Sequence, residues 1–325
     1  MRILIIGAAG MIGARLAEAA AAAGRLRGRP VTAMLLVDRV APAASAGGAF
    51  AVETGEADIT DPAVSRRLAE WRPDVVFHLA AIVSGEAEAD FSKGYRVNVD
   101  ATWSLLDALR QAGVVPRVVF ASSLAVYGAP FPDVVPDDFA LTPQSSYGAQ
   151  KAIGEFLLTD FTRKGFVDGI GIRLPTIVVR PGAPNAAASG FLSGIIREPL
   201  SGVEAPLPVG REVAAWIASP RIAVETLLHA AELPSERIGT RRCLTGRGIS
   251  VTVGEMIEAL AEVAGPGVAA RIRPAPDPTI ARIVSSWPRA FETAQATALG
   301  FPVDEGIHAI IKAHIAREMG GRFVA

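Results

Sequence analysis

The sequence predicts an α/β fold: a doubly wound parallel sheet with helices on both faces, and a smaller mixed α/β lobe laid over its ends. Three observations predict it. Short β-branched runs alternate with Ala/Leu-rich helical stretches through the first half of the 325-residue chain. Runs such as RILII and RVVFA are apolar almost continuously, at every position after the leading arginine rather than at every second one. The texture then changes after residue 180, where Gly, Pro and Ala crowd together. Strands that are apolar on both sides need cover on both sides, as in a parallel sheet joined by crossover helices.

Taken in order, residues 2–6 form the first strand and 12–23 the first helix. Residues 31–37 form a second strand, and 62–70 a helix opened by Asp61, whose carboxylate can accept from first-turn amides. Residues 75–79 are the third strand, 97–112 a long helix, 117–121 the fourth strand, 147–164 a helix and 169–174 the fifth strand. RPGAPNAAASG, which starts at Arg180, lacks periodicity and reads as a loop able to line a site. Helices are expected over 190–198, 219–232, 252–264 and 304–318, with extended pieces at 242–245 and 270–273. The expected division is a sheet domain over 1–180 and an interleaved lobe over 181–325, with no flexible linker.

The composition excludes several classes. Half of the residues are hydrophobic and 20% are charged, too apolar for a disordered chain, and the single Cys243 rules out a disulfide scaffold. A net charge of −1 without a basic stripe gives no reason to expect nucleic acid or an anionic membrane as partner. Residues 2–17 have the basic start and apolar run of a signal peptide, but three glycines interrupt them and Glu18 follows. No apolar run reaches the roughly 18 residues of a membrane span. The expectation is a cytoplasmic protein with Cys243 as a buried small hydrophobe and no metal site.

Gly7-x-x-Gly10-x-x-Gly13 follows the first strand and opens a helix. Gly7 permits a tight turn, Gly10 lets the backbone approach a pyrophosphate, and Gly13 lets helix and strand pack closely. The helix N-terminus offers N–H groups and the positive end of its dipole. Met11 and Ile12 belong to the same loop. Outside this context the pattern is only that of a packing turn. Asp38 closes the second strand, where a carboxylate can accept both hydroxyls of an adenosine ribose; this favours NAD over NADP, although the adjacent Arg39 can tolerate a phosphate. Asp58-Ile59 ends another strand-like piece, placed to meet an adenine edge.

Tyrosine and lysine are scarce, with three tyrosines (Tyr95, Tyr127, Tyr147) and four lysines (Lys93, Lys151, Lys164, Lys312). One of each stands four apart, Tyr147 and Lys151, and so on one face of a helix. A cation beside a phenol lowers its pKa from about 10, so that a phenolate can take a proton from an alcohol near neutral pH. Ser122-Ser123 tips the fourth strand, at the sheet edge where ligands collect, and a serine hydroxyl there can hold the reacting oxygen. Arg173 and Arg221 are candidate carboxylate clamps or, equally, structural ion-pair partners.

Taken together, GAAGMIG at 7–13, Asp58-Ile59, HLAA at 78–81, Asn98 in YRVNVDAT, SSLAVYG at 122–128 and YGAQK at 147–151 resemble the extended short-chain dehydrogenase/reductases, a Rossmann-fold family, over essentially the whole chain. The resemblance implies Ser123, rather than Ser122, beside Tyr147 and Lys151 as the catalytic set. It implies that His78, Leu79, Ala80 and Ala81 line an NAD site, with Asn98 on its nicotinamide side and Pro175, Thr176 and Ile177 at the carboxamide end. His78 as a satisfied strand-end histidine and Asn98 as a helix-kink residue remain open, and Tyr127 reads as packing.

Stretches 78–91, 169–200, 216–221 and 250–260 resemble members of the family that oxidise the C2 hydroxyl of a four-carbon sugar acid with NAD. This implies a substrate lined by Ser84, Ser123, Asn185, Ser189, Gly190, Trp216, Arg221 and Arg173, and a homodimer formed through helices 97–112 and 147–164. Ala214-Ala215 departs from the Arg-His that the resemblance would place there. A nucleotide-sugar 4-epimerase uses the same Tyr–Lys pair, but Ala214-Ala215 and the apolar residues 186–188 are poor phosphate clamps. A dehydratase lacks its acid at Leu124-Ala125, and a non-catalytic NAD(P) sensor would not need the pair.

Overall fold

The computed structural model describes residues 1–43, 50–182 and 188–325. Seven strands form one parallel sheet: β1 (Arg2–Ile6), β2 (Ala33–Asp38), β3 (Ala51–Glu56), β4 (Val75–His78), β5 (Arg117–Ser123), β6 (Asp168–Leu174) and β7 (Cys243–Thr245). Their spatial order is β7-β6-β5-β4-β1-β2-β3. The chain therefore leaves β1 toward one side and returns through β4 on the other. The reversal opens a crevice at the carboxyl end of β1.

Five helices cover the sheet: α1 (Met11–Ala23), α2 (Pro62–Glu70), α3 (Ala101–Gln111), α4 (Ser146–Arg163) and α5 (Pro220–Glu232). Ile3 and Ile5 of β1 pack with Leu16 and Ala20 of α1 and Leu227 and Ala230 of α5. Leu4 and Ile6, the alternate residues, pack with Leu68 of α2, Leu106 and Leu109 of α3, and Leu158 and Phe161 of α4. This two-sided burial is why RILII carries no polar residue after Arg2. Cys243 is buried in the second of these layers, as its sequence context suggests.

The elements differ from the sequence expectations in several places, of which three bear on the sheet and its cover. Ala51–Glu56 is a full edge strand with a mostly exposed surface, which hides its pattern. The helix expected over 97–112 is built from Phe91–Tyr95, a wider π turn over Arg96–Asp100, and α3. The sheet also reaches beyond residue 180, because β7 and α5 from the second half pack onto it. The smaller lobe has its own core. It joins the three-stranded sheet of Thr176–Ile177, Ala214–Ala218 and Ile249–Thr252 to helices Gly190–Leu200, Val253–Ala264 and Ile307–Glu318. Among the described residues no helix is long and apolar enough to cross a membrane.

Candidate active site

All seven strands end at the same edge, so the residues after β1, β2, β4, β5 and β6 face one crevice. Its floor is set by glycines. Gly7 has φ +92°, and a Cβ there would lie 2.6 Å from the Ala80 amide nitrogen; a Cβ on Gly13 would lie 2.1 Å from the Gly7 carbonyl oxygen. Both absences are demanded by the chain's own packing. Gly10 differs: its Cβ would meet only the Gly7 oxygen at 3.3 Å, and Gly10 caps α1 without any side-chain hydrogen bond. The bare cradle over the start of α1 fits a pyrophosphate, which would be held by backbone amides and the helix dipole.

Asp38 stands beside this loop. Its carboxylate accepts hydrogen bonds from the Ala9 amide at 2.9 Å and the Arg39 amide at 2.7 Å. Leu79, Ala80 and Ala81 form the opposite wall, with the Leu79 and Ala80 amides donating to the Ile6 carbonyl. Met11 and Ile12 pack with Leu174, Ile177 and Ala218 as an apolar rim. Thr176, after Pro175, carries the chain into the smaller lobe by pairing with Ile217. Asp58 lies exposed past β3, and its carboxylate accepts from the Thr60 amide and hydroxyl; these bonds lower its pKa against a small opposing effect of burial.

The catalytic candidates come from β5 and α4. Ser145 caps α4 by accepting from the Gly148 amide, while Glu88 accepts from the Ser146 amide. Gly148 and Gly154 bring the helix against the strand end, since a Cβ on either would lie within 2.0 Å of the Ala125 oxygen or 2.7 Å of the Phe120 ring. Side chains alternate along a strand, and the two serines divide accordingly: Ser122 is buried and donates to Glu155 at 2.5 Å, whereas half-buried Ser123 is left at the crevice. Its hydroxyl accepts from the Ala125 amide at 3.2 Å.

Lys151 is buried, with Nζ donating to the Ala121 carbonyl at 2.8 Å and lying 5.8 Å from the Tyr147 ring centre. Burial pushes its pKa down to about 8, partly countered by the carboxylate of Glu155, so the ammonium is still charged at neutral pH. Burial raises the phenol pKa of Tyr147, and two neighbours oppose it: the Ser123 hydroxyl and the guanidinium of Arg180. Arg180, in the stretch expected to be a loop, is therefore a second cation beside the phenol in addition to Lys151. Arg180 is mostly buried, its Nε donates to the Ile177 carbonyl at 3.1 Å, and its Nη2 reaches the Ser189 hydroxyl at 3.4 Å.

Several expected contacts fall elsewhere. Asn98 is 2% exposed, with its amide bonded to both the NH and CO of Ile82 and to Gln150 Oε1, so that its side chain holds the wall of the crevice. His78 is likewise buried, bonded through Nε2 to Thr102, and burial with the nearby Lys151 charge lowers its pKa to about 3, so it is neutral. Arg173 is no carboxylate clamp: Glu155 takes its Nε and Nη2, and its Nη1 donates to the Tyr127 hydroxyl. Arg221 is half exposed and paired with Glu225 at 2.8 Å and Asp304 at 3.6 Å. Trp216 donates to the Gly246 carbonyl and packs edge-on against Phe291. Ala215 is core, and Ser84 opens a short helix after the β4 loop. Ser189 and Gly190 begin helix Gly190–Leu200 beside Arg180. Asn185 lies outside the described residues.

A Gly-rich turn at a sheet switch point, joined to a Ser, Tyr and Lys at the next strand ends, defines a nicotinamide-dependent class of protein. The model of the NAD dependent epimerase/dehydratase family matches residues 3–217, and the chain belongs to that family. Over 319 residues it is 51% identical to D-erythronate dehydrogenase of Cupriavidus necator, covering 97% of this chain and 98% of that protein. It is 40% identical, over 98% of this chain and all of the other, to D-erythronate dehydrogenase of Haemophilus influenzae. The crystal structure of a nucleoside-diphosphate-sugar epimerase from Agrobacterium tumefaciens superposes with a TM-score of 0.96 at 53% identity, over 99% of this chain and 95% of that one.

Proposed function

We propose that the chain oxidises the C2 hydroxyl of a small sugar acid, D-erythronate to a 2-oxo-tetronate, with NAD. The observation that carries this reading is the meeting of Ser123, Tyr147 and Lys151 two strands away, across β4, from the glycine cradle. Gly7, Gly10 and Gly13 with the start of α1 hold the pyrophosphate, Asp38 the adenosine ribose, and residues 79–81 and 175–177 the nicotinamide half. The bound dinucleotide supplies the acceptor for the hydride lost from the carbinol carbon.

The rest falls to side chains of the chain. Ser123 holds the substrate hydroxyl against Tyr147. The phenolate of Tyr147 takes the hydroxyl proton as the carbonyl forms. Lys151, charged and fixed on the Ala121 carbonyl, keeps α4 and β5 in register and offers its remaining protons to the cofactor ribose. The sheet domain thus serves the cofactor and the smaller lobe the substrate.

The second reading is a 4-epimerase with tightly bound NAD, favoured by the name of the Agrobacterium structure. The two differ in net reduction. Incubated with D-erythronate, threonate and longer aldonates, the enzyme is expected to release NADH continuously, and more efficiently with NAD than with NADP because Asp38 repels a 2′-phosphate. Conversion of a UDP-sugar with no net NADH would decide for the epimerase.

Trp103 on α3 and Phe156 on α4 are large, exposed aromatics, 49% and 65% accessible, on the two helices expected to pair. Surfaces of this kind mark association, and a homodimer of twice the 33.8 kDa chain mass is the mass expected from sedimentation. The cytoplasm, where a free thiol such as Cys243 persists, is the compartment this reading assigns.

A further inference from the structure

We propose that Arg180 is the carboxylate receptor of the active site, and that this one guanidinium makes the site select 2-hydroxy acids over neutral alcohols. The inference rests on the reading that Tyr147 faces the reacting hydroxyl.

The first support is an imbalance of charge. Buried arginines elsewhere in the chain have carboxylate partners: Arg117 pairs with Asp168 and Arg173 with Glu155. Arg180 makes no ion pair among the described residues, and its neighbouring segment 183–187, Ala-Pro-Asn-Ala-Ala, contains no acid. A guanidinium withdrawn from water without a counter-ion is costly to hold. A ligand anion removes that cost.

The second support is position. The main chain of Arg180 is clamped from helix Gly190–Leu200: its amide donates to Ser193 Oγ at 3.0 Å, and its carbonyl accepts from Arg197 Nη1 at 2.7 Å. Its Nε donates to the Ile177 carbonyl at 3.1 Å and its Nη2 to the Ser189 hydroxyl at 3.4 Å. These bonds keep the guanidinium on the wall formed by residues 175–177 and the start of helix Gly190–Leu200, and its charge opposes the rise of the Tyr147 phenol pKa. In a 2-hydroxy acid the carboxylate carbon is bonded directly to the carbinol carbon. A hydroxyl held by Tyr147 therefore carries its carboxylate toward the guanidinium that the phenol already senses, where the planar fork can grip it bidentately. Ser189, on the same guanidinium, sits ready to share the anion.

The test separates binding from turnover. D-erythronate and its neutral counterpart erythritol are titrated calorimetrically into the wild type and the Arg180→Met and Arg180→Lys variants, each saturated with NADH, and rates are then measured with NAD. Arg180→Met is expected to weaken erythronate binding to the NADH complex on the order of 100-fold and to raise KM, and kcat falls as well because Tyr147 loses the charge that opposes its raised pKa. Erythritol and NADH binding should be unchanged, and Arg180→Lys should recover part of the loss. Erythronate affinity within threefold of wild type in Arg180→Met overturns the proposal, as does equal loss for erythritol or NADH. Arg180-dependent erythronate binding by a wild type that forms no NADH would uphold the receptor and sink the dehydrogenase reading.

Discussion

Replacement of Tyr147 by Phe is expected to lower kcat/KM with the sugar acid by between about 10² and 10⁴-fold while leaving NADH affinity within a factor of two or so of wild type, the loss being that of a general base. The ring that packs beside Lys151 is retained in the variant and only the hydroxyl is lost, so neither the α4 register nor the glycine cradle is disturbed. The pH profile carries a second expectation. Burial raises the phenol pKa more than Ser123 and Arg180 lower it, so that it stands above its ordinary value rather than below it as the Tyr–Lys spacing suggests; wild-type turnover should therefore keep rising to the top of the pH range without reaching a plateau, and the residual rate of the Phe variant should lose that slope. Stopped-flow reduction of NAD from pH 6 to 10, with NADH fluorescence titration as the binding control, checks both. A variant keeping more than a tenth of wild-type turnover would remove Tyr147 from its role.

The site and the fold were legible in the sequence to different depths, for physical reasons. Strands β1, β4 and β5 announce themselves because helices bury both of their faces, so their central residues are apolar without a break and polar residues stand only at the ends. Strand β3 lies at the sheet edge, and AVETGE shows neither an apolar run nor a clean alternation. Strand β7 has three residues, too few for a period, and is a strand only because β6 is there to pair with it. The π turn at Arg96–Asp100 escapes a helical pattern search, since its wider step changes hydrogen bonding more than residue type.

The glycine loop and the Tyr–Lys pair are local motifs and could be read locally. The arginines could not. Arg173, Arg180 and Arg221 look alike in one dimension; Glu225 is a local partner of Arg221, four residues along the same helix, but Glu155 and Asp304 are brought in by the fold and decide which guanidinium is already taken. Of the two serines, the sequence preference for Ser123 rested on resemblance; strand alternation, with Ser122 bonded to Glu155, supplies the physical reason.

Arg173 then turns from a substrate candidate into the origin of the largest stability effect expected. Its guanidinium binds both oxygens of Glu155 and the Tyr127 hydroxyl, Ser122 donates to the same carboxylate, and Tyr127 also meets Thr245 at 2.8 Å. The cluster ties α4 to β5, β6 and β7 one helical turn behind Lys151. Arg173→Met strands a carboxylate in the interior, and breaking a buried pair in this way costs about 3–5 kcal/mol. Adding Glu155→Leu should restore at least half of the loss, because two apolar residues can replace a buried pair that one cannot.

Urea denaturation of wild type, Arg173→Met and the double variant at neutral pH checks both figures. A loss below about 1 kcal/mol in the single variant, or a double variant no more stable than the single one, would mean that the pair is not what holds these four elements together.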